Sequence, residues 1–263
     1  MSVEVHPIGS VPSERARADL SEPEWACRVA LAAAYRLMDH FGVRDLTYNH
    51  LSARIPGEPD AILIKRGDHM FAEVTASSLC KYNLDGQPLG GGSHPPLSGG
   101  ALVLHAQFAK LRPQVNAIFH THTPANMAIA AQARGLLPIT QQAMLFYERL
   151  AYHDFGGFEF EPGMEHKLHD SLGTYKVAVL RNHGLLIAAE SVPEAFVLHH
   201  FFEIAAQAQI GALSGNAEVL IPSSDTCRAA AQTMDAIQAT RLGGKNWAAC
   251  LRLADRLFPD YAY

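Results

Sequence analysis

Two apolar segments of this sequence run directly into polar turns that carry histidine, and this limits the fold more than any other feature. Residues 115–120 read as a buried strand that continues into Thr121-His122-Thr123, and Pro124 then opens a helix to about residue 134. Residues 176–180 and 185–189 read as a strand pair about a tight Asn182-His183-Gly184 turn. In a strand, residues i and i+2 point to one face, so His120 and His122 can converge on one point. A turn normally exposes its side chains, so Asn-His-Gly at a strand end is an odd place for a structural histidine. Gly184 is expected to permit the backbone conformation that aims His183. Neutral imidazoles suit zinc, iron, manganese or cobalt, and an open catalytic site has three protein ligands. His120, His122 and His183 are therefore the expected ligands of one divalent metal.

The rest of the chain reads as helices flanking a strand-rich middle. Apolar spacing predicts a helix over 24–41, ended by Gly42. Strands are expected at 51–55, 61–65 and 79–83, the last entering an Asn83-Leu84-Asp85-Gly86 turn. A glycine- and proline-rich loop at 90–96 leads through Ser98-Gly99-Gly100 into a helix to residue 111. Further elements are a strand at 149–153 and helices at 164–172, 193–213, 224–240 and 246–257. Residues 1–22 read as a solvated arm, 23–263 as one α/β domain, and the part from about 216 as a helical extension. The formal charge of −5 leaves no electrostatic footprint for nucleic acid or an anionic membrane. There is no apolar run long enough for a membrane span, and the N-terminus lacks a signal-peptide pattern. Cys27, Cys80, Cys227 and Cys250 are far apart and form no C-x-x-C, so they are expected to be reduced in a cytoplasmic protein.

Several blocks, in order over roughly residues 25–215, resemble the class II aldolase/adducin family. They are residues 46–54 (Leu-Thr-Tyr-Asn-His-Leu-Ser-Ala-Arg), 73–79, the Asp85-Gly86 turn, 116–123, Phe146-Tyr147 through Tyr152-His153-Asp154, 180–185, and Glu203 with Ala206-Gln207. The resemblance implies a three-layer α-β-α sandwich with a mixed, largely antiparallel sheet. It implies a homotetramer with sites near subunit interfaces, and His120, His122 and His183 as ligands of a catalytic divalent metal, usually zinc. In such enzymes the metal stabilises the enediolate formed when a C–C bond breaks.

The departures from the aldolase pattern matter as much as the matches. Counting back from the matched helix histidine, His105, the aldolases' catalytic Glu falls at Ala101 and their two serines at Gly99 and Gly100. The Gly-Asn of their phosphate-binding turn becomes Asn49-His50. These losses point to a non-phosphorylated substrate, a small hydroxy or keto acid, and to a lyase acting by decarboxylation or retro-aldol cleavage. An iron-dependent oxygenase of aryl keto or hydroxy acids and a non-catalytic adducin-like module are the alternatives. Tyr147, Tyr152 or water is expected to return the proton, and in the aldolases a neighbouring subunit's tyrosine does so. Glu148, where the family usually has Gly, is expected either to replace the lost acid/base or to pair with Arg149 or Arg181. His50, Asn49 and Lys65 are the expected substrate contacts, Lys65 as an anchor for a carboxylate. Arg66 shares that loop, Glu73 is expected to be structural, and His199-His200 to pack within a helix. The tail at 258–263 is expected either to cap a neighbour's site or to be disordered.

Overall fold

The computed structural model describes residues 17, 19–90, 94–157, 163–215, 218–241 and 244–263. Most of the expected N-terminal arm and the glycine core of the 90–96 loop lie outside these residues. The described elements are helix α1 (Glu22–His40), strands β1 (His50–Ile55), β2 (Glu58–Ile64), β3 (Cys80–Asn83) and β4 (Pro88–Leu89), and helix α2 over residues 99–111. Then come β5 (Ala117–Thr121), α3 (Pro124–Ala130), α4 (Gln141–Met144), β6 (Leu150–His153) and α5 (Met164–Leu172). Strands β7 (Val177–Leu180) and β8 (Gly184–Ala189) precede α6 (Val192–Leu213), α7 (Ser224–Arg241) and α8 (Gly244–Leu257).

Local chemistry accounts for where the long helices begin. Ser21 caps α1 by accepting the Glu24 amide at 3.3 Å, with Pro23 and two acidic residues in the first turn. Ser191 caps α6 in the same way. α1 ends at His40, and after the cap residue Phe41 comes Gly42, whose φ of +87° other residues adopt at a cost.

The strands form one eight-stranded sheet in the order β4-β3-β2-β1-β5-β8-β7-β6. Neighbours pair antiparallel, and β6 with β7 parallel. Side-chain alternation splits the core into two layers. Leu51, Leu63, Phe119, Val179 and Ile187 pack with α1 and α6 on one face. Ile62, Ile118, Ala178 and Leu186 pack with α2 and α5 on the other. This is the helix–sheet–helix sandwich that the resemblance implied.

Local features differ from the sequence reading: β4 was not expected, and the helix opened by Pro124 ends at Ala130 rather than near residue 134. The short helix α4 was not expected, because four residues are too few for a periodic signal. Helix α2 is not regular: α-turns Gly99–Ala101 and Phe108–Leu111 flank a π-helical segment, Leu102–Gln107. The C-terminal tail folds back on its own chain. The Ala76 and Ser77 amides donate to the Tyr261 and Tyr263 carbonyls, each at 2.8 Å, and Arg36 pairs with Asp260. No helix among the described residues is long and apolar enough to cross a membrane, and the four cysteines are free thiols.

Candidate metal centre

Strand register brings the histidines together. β1 and β8 flank β5, with His50 opposite His120 and Leu185 opposite Thr121. The start of β1, the end of β5 and the β7–β8 turn therefore meet at one end of the sheet. His120 takes the α2-side position that Ile118 fills with carbon two residues earlier. Thr123 caps α3 by accepting the Asn126 amide at 3.0 Å, which ends the strand just beyond His122.

The β7–β8 turn is built otherwise than the sequence suggested. The left-handed residue is Asn182, at φ +56°, a conformation asparagine tolerates better than most side chains. Gly184 is needed for space instead: a Cβ there would collide with the Thr121 carbonyl oxygen and lie 2.9 Å from His122 Cδ2.

The three rings converge through Nε2. His122 Nε2 lies 2.8 Å from His120 Nε2 and 3.0 Å from His183 Nε2. The opposite nitrogens identify the tautomers. His120 Nδ1 faces the Leu185 carbonyl at 3.0 Å, and His122 Nδ1 faces Asp45 Oδ2 at 3.0 Å. Both partners only accept, so both Nδ1 atoms carry hydrogen and both Nε2 atoms present lone pairs. Burial, helped by the neighbouring imidazoles, holds His120 well below the usual histidine range, so its Nε2 keeps a lone pair that a cation between the rings can take up. The donor set therefore fits a divalent metal, and it is the group of three or more candidate ligands that the described residues bring together.

Asp45 is a candidate site residue that sequence reading missed. It lies 77 positions from its partner, and the orienting carboxylate of a metal-bound histidine has no local motif. The loop before β1 is fastened around it. Asn49 Oδ1 accepts the His122 amide at 2.8 Å, while its Nδ2 is buried with no partner among the described residues. Lys65 Nζ donates to the Thr47 and Arg66 carbonyls at 2.9 and 3.2 Å, and burial lowers its pKa to about 8. One of these bonds, to Thr47, thus holds the loop, while the Arg66 side chain pairs with Asp68 in solvent.

Behind the turn, on the α6 side, lies a buried polar network. Glu203 accepts from Thr123 Oγ1 at 2.8 Å and from Asn126 Nδ2 at 3.0 Å, and Thr121 Oγ1 meets His199 Nε2 at 2.8 Å. Burial raises the Glu203 carboxyl to about 7. His199 is thus packed in the helix interface and hydrogen-bonded there. Glu73 accepts the Met70 amide at 2.7 Å, a cap on a short 3₁₀ turn.

His50 stands next to the three ligands, its ring centroid 5.1 Å from that of His120. Tyr147, Glu148 and Tyr152 are placed elsewhere in the chain. They line a surface cavity of about 230 Å³ to which none of the three histidines contributes. Glu148 pairs not with Arg149 or Arg181 but with Arg228, at 2.9 and 3.0 Å. Its φ of +56° lies in the left-handed region that glycine adopts more readily than glutamate. The Tyr152 hydroxyl accepts the Leu136 amide at 3.0 Å, and the ring carries the Arg181 guanidinium 4.2 Å from its centroid.

Comparison with known proteins agrees with this architecture. Residues 29–210 match the Class II Aldolase and Adducin N-terminal domain. A protein of Caulobacter vibrioides described as a candidate class 2 aldolase is 32% identical over 97% of this chain and 98% of its own. Alpha-adducin of Rattus norvegicus is 40% identical over 71% of this chain, a match covering 26% of the adducin. The crystal structure of an aldolase II superfamily protein from Pseudomonas syringae superposes with a TM-score of 0.90 at 35% identity, over 95% of this chain and all of that one. The chain belongs to the class II aldolase/adducin family.

Proposed function

We propose that this protein is a divalent-metal-dependent carbon–carbon lyase acting on a small, non-phosphorylated hydroxy or keto acid, with zinc as the metal. The observation that carries the reading is the convergence of three Nε2 atoms, with the His120 and His122 tautomers fixed from behind by Leu185 and Asp45. A bound divalent ion supplies Lewis acidity, drawing electrons from a carbonyl so that the adjacent C–C bond can break.

The chain's own residues do the rest. His120, His122 and His183 hold the ion, and Asp45 keeps His122 in the ligating tautomer. Asn49 Nδ2, a buried donor beside His122, and His50, beside His120, bind the acid. No carboxylate can serve at Ala101. A Cβ on Gly100 would sit 3.9 Å from His50 Nε2, so the imidazole borders the step where the aldolases carry serines and glutamate. Lys65 supports the loop that carries Asp45 and Asn49. Tyr147 or Tyr152 returns the proton from a second copy of the chain, which fits their distance from the ligands within one chain and a homotetrameric assembly. Glu148, engaged by Arg228, is the weaker candidate for that step.

The test is an assay of the zinc-, cobalt-, manganese- and iron-loaded protein against non-phosphorylated hydroxy and keto acids, following CO2 and aldehyde release. Metal-dependent cleavage without O2, abolished by His122→Ala, is the expected result. Turnover that requires iron and consumes O2 would replace the lyase by an oxygenase. A folded chain that turns over none of them would favour the interaction-module reading.

A further inference from the structure

The π-helical segment Leu102–Gln107 encloses a fully buried histidine, His105. π-Turns are rare and gather at functional sites. Both ring nitrogens of His105 are committed: Nδ1 lies 2.6 Å from Ser52 Oγ and Nε2 lies 2.6 Å from His50 Nδ1. Ser52 is buried in β1 two residues beyond His50, on the same face of the sheet. His50 packs on His120, and its Nδ1 bond to His105 is its hydrogen bond among the described residues. A line of polar groups thus runs from the α2-side core to the metal centre and ends on His50 Nε2.

Stability alone does not call for this line. Val103, Leu104 and Ala106 around His105 are buried and apolar, and a polar pair replaced by apolar groups of similar shape is often neutral for folding. What the line supplies is orientation. We propose that Ser52 and His105 are positioning residues that hold His50 in one rotamer and one tautomer, with Nε2–H directed at an anionic oxygen of the substrate. The inference rests on the metal-dependent reading above. In the favoured arrangement the Ser52 hydroxyl donates to His105 Nδ1, His105 Nε2–H donates to His50 Nδ1, and His50 keeps its own hydrogen on Nε2. The reversed arrangement turns a lone pair towards the substrate carboxylate, so a bound anion selects the first. All the rings stay neutral, and no proton leaves the line.

The probe is oxalate, a planar dianion, titrated calorimetrically into zinc-loaded wild-type protein and into Ser52→Ala and His105→Gln. Nitrogen-15 histidine spectra report the His50 tautomer in the same samples. The expected result is an Nε2–H His50 in the wild type with oxalate, and about tenfold weaker oxalate binding in both variants. Zinc affinity should stay within about twofold, which also shows the variants to be folded. Equal oxalate affinity in the three zinc-loaded proteins overturns the inference, as does a wild type that binds zinc and not oxalate. A wild-type chain that takes up no zinc refutes the metal reading instead, and the two failures are thereby distinct.

Discussion

Replacing Glu203 by glutamine should make the protein more stable above neutral pH and leave it nearly unchanged in mild acid. Glu203 sits behind the His-x-His turn with its side chain 11% exposed, and burial raises its carboxyl from 4.5 to about 7. The folded chain therefore keeps this proton where the unfolded chain has released it. Between these two values the folded state binds more protons, so stability falls as pH rises and the contribution is gone above the folded value. Shifting a carboxyl from 4.5 to about 7 corresponds to roughly 3 kcal/mol. Glutamine is isosteric, still accepts from Thr123 and Asn126, and has no proton to lose. Urea unfolding of both proteins at about pH 5 and about pH 8.5, with chelator present to remove the pH dependence of metal binding, measures the effect. The variant should lie within about 1 kcal/mol of the wild type at the lower pH and exceed it by roughly 3 kcal/mol at the higher. Parallel stability profiles would refute the reasoning, because Glu203 would then titrate alike in both states.

The acid side of the profile should belong to buried histidines. Burial lowers His199 to about 3, so its contribution is full above the unfolded value near 6.5 and is lost as pH falls towards 3. His199→Gln should flatten that decline in the same chelated unfolding series. Asp45→Asn keeps the shape beside His122 and removes the charge, and should weaken zinc binding about tenfold or more in a competition titration. Gly184→Ala forces a methyl against the Thr121 carbonyl where β8 meets the His-x-His strand. It should cost about 1–3 kcal/mol in thermal unfolding and weaken zinc binding with it, whereas an unchanged zinc affinity would show that the turn can give way.

Much of the fold was legible because it was written in local patterns. Apolar spacing and Gly42 marked α1, and apolar runs of five or six residues ending in polar turns gave the strands about the site. His120 and His122 were legible because strand alternation makes i and i+2 neighbours. His183 was legible because a histidine in an Asn-His-Gly turn lacks a bland explanation. What sequence did not show is what depends on distant register. Asp45 reaches His122 across 77 positions, and the buried line from Ser52 through His105 to His50 spans two elements some fifty residues apart. The π-helical turns around His105 leave no mark in apolar periodicity. The aim of the β7–β8 turn was credited to Gly184, whereas Asn182 carries the left-handed backbone and Gly184 provides room. Lys65 looked like a free cation because sequence cannot show that the Thr47 carbonyl lies within its reach.

The central claim is that His120, His122 and His183 form one metal site. Equilibrium dialysis of the purified chain against zinc, followed by metal analysis, tests it most directly when the wild type is run beside His120→Ala, His122→Ala and His183→Ala. The geometry predicts one tightly held ion per wild-type chain and its loss in each variant, with circular dichroism showing all four proteins folded. A folded wild type that retains no zinc, or a variant that retains it as tightly as the wild type, would contradict the account.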